Sequence, residues 1–283
     1  MTACSLRRAA CSLAAPGWRN WHSRWPQKPL GFTPRVGSTP TPGTFASYHM
    51  NQTWSPEVAY AVGLIATDGN LSSDGRHINL TSSDKQQLRN FQRCLRITTK
   101  LSSNPPGSFT RNPSYRVQFG SRQLYQWLQS IGLTPRKTGS LGTLKVPQVF
   151  FPDFLRGVID GDGSIVLYTD RYNVYKGTYY EYLRLYVTIA SSSYKFLHWI
   201  QQTLRQRLSV RGSLLQQPPR PWATKPSWKL RFAKHDSLKI LRWIYYDDRI
   251  SCLTRKRVLA ERAMDFFRSW RDGRVKTPIS VRP

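Results

Sequence analysis

The period of the apolar positions changes repeatedly along this chain, and each change predicts an element. Two apolar runs each begin with a proline followed by an acid, Ser55-Pro56-Glu57 and Phe151-Pro152-Asp153. Proline lacks the N–H that a helix start leaves unpaired, and an acid there meets the positive end of the helix dipole, so both are predicted helix starts. Each run passes a glycine and reaches Asp-Gly at the same interval, Gly63 to Asp68 and Gly157 to Asp162. Alternating segments come next, which is the period of a strand with one buried face. Leu183, Leu185, Val187 and Ile189 alternate with Arg184, Tyr186 and Thr188. Val117 and Phe119 alternate with Arg116 and Gln118, and Leu230 and Phe232 with Lys229 and Arg231. The shorter segments His77–Thr81 and Ile165–Thr169 are also read as strands. Helical stretches opening on serine, SSDKQQLRNFQRCL and SSSYKFLHWIQQTL, follow the strands, with Ser82 and Ser191 as N-caps. The order is helix, two strands, helix, two strands, helix, given twice, with a last helix at RVLAERAMDFFRSW. The fold class is therefore α+β, as two αββαββα halves.

The Asp-Gly positions carry the candidate chemistry. A glycine inside a helix costs about 1 kcal/mol against alanine, so Gly63 and Gly157 need a reason to be there. The spacings Gly63-x-x-x-Thr67 and Gly157-x-x-x-Gly161 place small residues along one helix face, where two backbones can approach closely. Two such helices side by side would bring Asp68 and Asp162 together at their C-termini. Adjacent carboxylates repel unless a cation lies between them. Carboxylates and helix-end carbonyls are the oxygen ligands that Mg2+ prefers. DGDGS also suggests a calcium loop, but with Asp160 as its first position Ile165 stands where glycine is required and Arg171 where glutamate is required.

Composition narrows the partner. The 283 residues include 43 Lys+Arg against 15 Asp+Glu, a net charge of +28, which calls for a polyanion. The strand faces listed above carry basic and hydrogen-bonding residues and no acid, so nucleic acid ranks ahead of an anionic membrane surface. No run of apolar residues is long enough to span a bilayer. Cys4, Cys11, Cys94 and Cys252 form no CxxC pair, which argues against structural zinc and suggests free thiols in a reducing compartment. Residues 1–50 have no acid and no sustained period and are read as a basic disordered leader, with an organelle transit peptide as one alternative. The halves are assigned to residues 51–150 and 151–275, with a tail over 276–283.

Ala61-Val-Gly-Leu-Ile-Ala-Thr-Asp-Gly69 and Leu155-Arg-Gly-Val-Ile-Asp-Gly-Asp-Gly163 resemble the nine-residue motif of the LAGLIDADG homing endonucleases, in their single-chain, two-motif form. The resemblance covers roughly residues 54 to 272. It implies a pseudo-symmetric monomer whose antiparallel sheets form a saddle on double-stranded DNA, with the motif helices at the interface through Gly63 and Gly157. It implies a divalent-metal-dependent endonuclease cutting both strands of a long site with Mg2+ or Mn2+. Asp68 and Asp162 inherit the metal-binding role, with Thr67 and Gly161 as further metal contacts. Lys137 and Lys256 fit the place of a catalytic basic residue, with Arg136 and Arg255 as neighbours that could serve instead and phosphate contact as the plainer role. Arg116, Gln118, Arg184, Tyr186, Thr188, Lys229 and Arg231 are the expected DNA contacts. The sixth motif position departs from symmetry, being Asp160 in one half and Ala66 in the other. An intron RNA maturase or a non-cleaving DNA-binding regulator on the same scaffold is the alternative, which makes intron RNA a second candidate ligand. The bacterial cytoplasm and an organelle both suit such a protein.

Overall fold

The computed structural model describes residues 53–104, 113–175, 178–219 and 226–271; the predicted leader and tail lie outside these. Helix α1 (Pro56–Thr67) leads into strands β1 (Gly69–Leu71) and β2 (His77–Ser82), helix α2 (Lys85–Cys94), strands β3 (Ser102–Asn104) and β4 (Ser114–Gly120) and helix α3 (Arg122–Ser130). A short 3-10 turn precedes the second round. There α4 (Phe151–Asp162) leads into β5 (Gly163–Tyr175), β6 (Thr178–Ser191), α5 (Tyr194–Leu208), β7 (Ser213–Gln217), β8 (Ser227–Phe232), α6 (Lys234–Ile244) and a closing helix α7 (Thr254–Arg271). The sheets have matching antiparallel orders, β1-β2-β4-β3 and β5-β6-β8-β7. This is an α+β fold of two similar halves.

The registers show how closely the halves correspond. Gly69 pairs with Leu80, and at the matching place Gly163 pairs with Ile189. Leu80 pairs onward with Val117, and Ile189 with Leu230. The alternation in each strand has the expected outcome: Ile78, Leu80, Val117, Leu185, Val187, Ile189, Leu230 and Phe232 are all buried. Helices α1 and α4 pack against each other between the halves. From Ala59 to Ala66 every residue of α1 is buried, as a helix apolar on all sides must be.

Several details differ from the sequence reading. The N-caps are Asp84 and Ser193, two residues beyond Ser82 and Ser191. Ser82 instead accepts from the Asp84 N–H and donates to Gln87, and Ser191 accepts from the Ser193 N–H. Asp153 lies in the first turn of α4 as expected, and there it is buried and bonded to the buried Arg156 at 2.6 Å and to the Tyr246 hydroxyl at 2.8 Å. Strands β5 and β6 run well past the predicted segments Ile165–Thr169 and Leu183–Ile189.

Candidate active site at the helix pair

The two helices meet through their glycines. A Cβ added at Gly63 would lie 2.2 Å from the Phe154 carbonyl oxygen, and one at Gly157 would lie 2.2 Å from that of Tyr60. No side chain fits in either place, so the backbones themselves are in contact. The approach continues to the C-terminal ends. A Cβ at Gly161 would overlap the Thr67 hydroxyl and lie 3.2 Å from an Asp68 carboxylate oxygen. Asp68 caps α1 and Asp162 ends α4, so the packing brings the two carboxylates to one place.

Their surroundings differ. Gln87, buried on α2, donates to Asp68 Oδ2 at 2.6 Å, and its own carbonyl oxygen accepts from Ser82 at 2.8 Å. Burial raises the Asp68 pKa, against the opposing pull of Gln87, Lys137 and Lys256. Asp162 keeps solvent-exposed surface, yet the protein packed around it displaces enough water to push its carboxyl up, and the charge of Asp68 adds to this, to about 6. Counting along the repeat, Phe196 occupies in α5 the place that Gln87 has in α2, and it is fully buried. Sequence reasoning missed Gln87. Its signal would have been a polar residue on the apolar face of a helix, where Phe196 stands in the other half.

Lys137 and Lys256 are both buried at this site. The Lys137 ammonium donates to the carbonyls of Thr67 at 3.1 Å and Gly69 at 2.7 Å. The Lys256 ammonium donates to those of Ile159, Asp160 at 2.9 Å and Gly163 at 2.8 Å. Each lysine therefore caps the C-terminus of one motif helix, where carbonyls lack partners and the helix dipole is negative. In this structure both ammoniums are thus engaged with backbone carbonyls. Burial lowers both ammonium pKa values, that of Lys256 to about 8. Of the neighbouring alternatives, Arg255 is exposed and reaches Asp84 at 3.2 Å, and Arg136 adopts a positive φ of 54° in the turn before Lys137.

Asp160 stands apart from this pair. It is fully buried, and one carboxylate oxygen accepts from the Tyr60 hydroxyl and the Leu253 N–H, each at 2.8 Å. It ties the two motif helices together on the inside of their contact, and burial raises its pKa. Thr67 donates its hydroxyl to the Gly63 and Leu64 carbonyls, and its own carbonyl already serves Lys137.

The expected DNA contacts lie on the sheet faces opposite the core. Arg116 and Gln118 on β4 stand across from Thr81 and Asn79. In the second sheet Arg231 stacks 3.7 Å over the Tyr186 ring, and Lys229 lies farther along β8. Thr188 is buried and shares a 2.6 Å hydrogen bond with Ser164, which leaves it the least accessible of these candidates. The expectation that the faces carry no acid is corrected by Asp170, which pairs with Arg184 at 2.8 Å. Val166, Tyr168 and Leu215 also expose apolar surface in this sheet.

The donor set at the helix ends suits a hard divalent cation, because it joins two mutually repelling carboxylates to peptide carbonyls. Among the described residues there is no cluster of three or more His, Cys, Asp or Glu, so the carboxylate pair is the acidic core of any such site. Among the described residues, no helix is long and apolar enough to cross a membrane.

Comparison with solved structures places this architecture. The I-LtrWI LAGLIDADG homing endonuclease bound to target DNA superposes with a TM-score of 0.51 at 10% identity, over 77% of this chain and 91% of that one. I-SmaMI bound to uncleaved DNA target in the presence of calcium ions gives 0.53 at 12% identity, over 80% and 95%. The chain has the LAGLIDADG homing-endonuclease fold. Full-length DUF199/WhiA from Thermatoga maritima gives 0.47 at 13% identity, and this chain spans 62% of its length. No family model matches the sequence, and no curated protein does. The likeness thus lies in the LAGLIDADG architecture and hardly in the sequence.

Proposed function

We propose that this protein is a site-specific DNA endonuclease that uses a divalent cation to make double-strand breaks at a long target. The observation that carries this reading is the convergence of Asp68 and Asp162 at the joined ends of two glycine-packed helices. Asp68 and Asp162 would hold Mg2+ or Mn2+, with the Gly161 carbonyl as a further oxygen donor, and the Thr67 carbonyl could join only by sharing its oxygen with Lys137. A cation bound there would supply Lewis-acid stabilisation of the charge that develops on a phosphodiester under attack. Gln87 fixes the orientation of Asp68, and Lys137 and Lys256 hold the helix ends in place. The basic and aromatic residues of the sheets would bind the duplex, in keeping with the DNA seen in the I-LtrWI and I-SmaMI structures.

A nucleic-acid binder that does not cut, whether a regulator or an intron RNA maturase, is favoured by one feature. The lysine ammoniums already neutralise the helix ends without a metal. The deciding experiment is cleavage of a randomised duplex library with Mg2+, by the native protein and by the Asp68→Asn/Asp162→Asn variant. Discrete double-strand cuts that vanish in the variant are expected. Salt-sensitive binding by both proteins with no cuts from either would reject the nuclease.

A further inference from the structure

The hairpins that open the two sheets differ greatly in reach. Both start at equivalent rungs, Gly69 with Leu80 and Gly163 with Ile189. The β1–β2 hairpin ends after Leu71 pairs with Ile78, while β5–β6 continues to Tyr175 paired with Thr178. Strand β1 has 3 residues and β5 has 13. At about 3.3 Å per residue, the second hairpin reaches about 30 Å farther. Among the described residues the other strands differ far less: β3 has 3 residues against 5 in β7, and β4 has 7 against 6 in β8. Strand β8 accompanies β6 only as far as Phe232 opposite Val187. Beyond that rung, among the described residues, β5 and β6 form a ribbon with no third strand beside it.

A two-stranded ribbon of this length is marginally stable in water by itself. Near its base the ribbon is stitched by the Arg184–Asp170 ion pair and by the Tyr168 and Tyr186 rings, 6.4 Å apart. Farther out, RYNVYKGTYYEY contains five tyrosines and two cations, Arg171 and Lys176, against one acid, Glu181, with Val174 as its one aliphatic residue. That composition gives a core little to bury. It suits a wet, anionic surface to which hydroxyls and cations can hydrogen-bond.

Resting on the DNA-binding reading above, we infer that the β5–β6 ribbon engages duplex DNA beyond the reach of the first half. The recognition site is then lopsided: the protein covers more base pairs on the ribbon's side of the helix pair than on the other. At 3.4 Å per base pair, 30 Å corresponds to about nine base pairs if the ribbon follows the groove, and fewer if it crosses at an angle.

The test is a footprint, so it depends on binding and is independent of cutting. Duplexes are selected from a random library by binding to the full chain. Protection is then compared with that given by a variant in which residues 171–181 are replaced by Asn-Gly, which suits a tight hairpin turn between the paired Asp170 and Tyr182. The variant shortens the ribbon by about 15 Å, so the expected result is a footprint shortened by about four base pairs at one end, with the other end fixed. An unchanged footprint, or one shortened equally at both ends, overturns the inference. The native chain provides a second measurement should the variant misfold. In duplexes it has cut, constrained bases should extend farther on one side of the cut, and equal flanks overturn the inference. Binding without cutting would remove the nuclease assignment and leave this one standing, while a chain that protects no DNA overturns both.

Discussion

Asp68 and Asp162 occupy equivalent positions in the repeat and differ in their surroundings. Gln87 holds Asp68, while Asp162 feels the charge of Asp68, and the place in α5 that corresponds to Gln87 is filled by Phe196. Replacing Gln87 with Leu should weaken divalent-cation affinity about 10- to 100-fold, the usual effect of losing a residue that orients a ligand. Calorimetric titration with Mg2+ or Ca2+ would show it, and unchanged affinity would mean that Gln87 only fills space. The raised carboxyl of Asp162 has a consequence for stability. Its pKa is about 6 in the folded protein and near 3.8 when unfolded, so the folded state binds its proton more tightly. Without metal, the contribution from protonated Asp162 is present below about pH 4 and lost as pH rises through 6. A divalent cation, which prefers the ionised pair, should raise the melting temperature at pH 7 more than at pH 5. Equal metal-induced shifts at both values would count against a shared site. The carboxylates were legible from the sequence because the motif and its repeat mark their positions, whereas the basic segments narrowed the lysines only to Arg136 or Lys137 and Arg255 or Lys256. Gln87 was not, because a polar residue on a helix acquires meaning only when tertiary packing decides what it faces. The lysines' partners were equally hidden, since backbone carbonyls leave no trace in a sequence.

At the scale of elements, the α1–α4 contact sets the whole geometry. A Gly63→Ala or Gly157→Ala substitution forces the helices apart or strains their backbones, and should cost about 3 kcal/mol or more, at the upper end of overpacking effects. Urea denaturation would report it; a loss below 1 kcal/mol would mean that the helices can shift without penalty. Lys256→Met leaves the carbonyls of Ile159, Asp160 and Gly163 without their buried donor and should cost about 2–3 kcal/mol. The strand–helix order was readable because alternation is clean where one sheet face meets the core, as at Leu183 to Ile189. The outer ribbon was not, because Tyr, Asn, Thr and Asp interrupt the apolar period once no core lies beneath the strand. The N-caps were misplaced for a local reason: several serines and an aspartate compete in Ser82-Ser-Asp84 and Ser191-Ser-Ser193, and only the backbone turn selects one.

For the whole molecule, charge is the dominant quantity. On the DNA-binding reading proposed above, a net +28 over the whole chain predicts affinity that falls steeply as salt rises, through the counterions that each phosphate contact releases. Substituting Lys229 and Arg231 together by Gln should flatten the log–log salt dependence by about two, measured by fluorescence anisotropy on a selected duplex. Removing residues 1–50 should leave the position of cleavage unchanged, since both carboxylates, both lysines and both sheets lie beyond it.

The Asp160–Tyr60 hydrogen bond says something about ancestry. A chain of two like halves is what the joining of two copies of one short gene would produce, and such a gene's product would first have paired with itself. These halves no longer could. Two copies of α4 would bury a pair of aspartates with no tyrosine hydroxyl to donate to either. Two copies of α1 would set tyrosine against alanine. The hydrogen bond therefore favours pairing of α1 with α4 over pairing of either helix with a copy of itself.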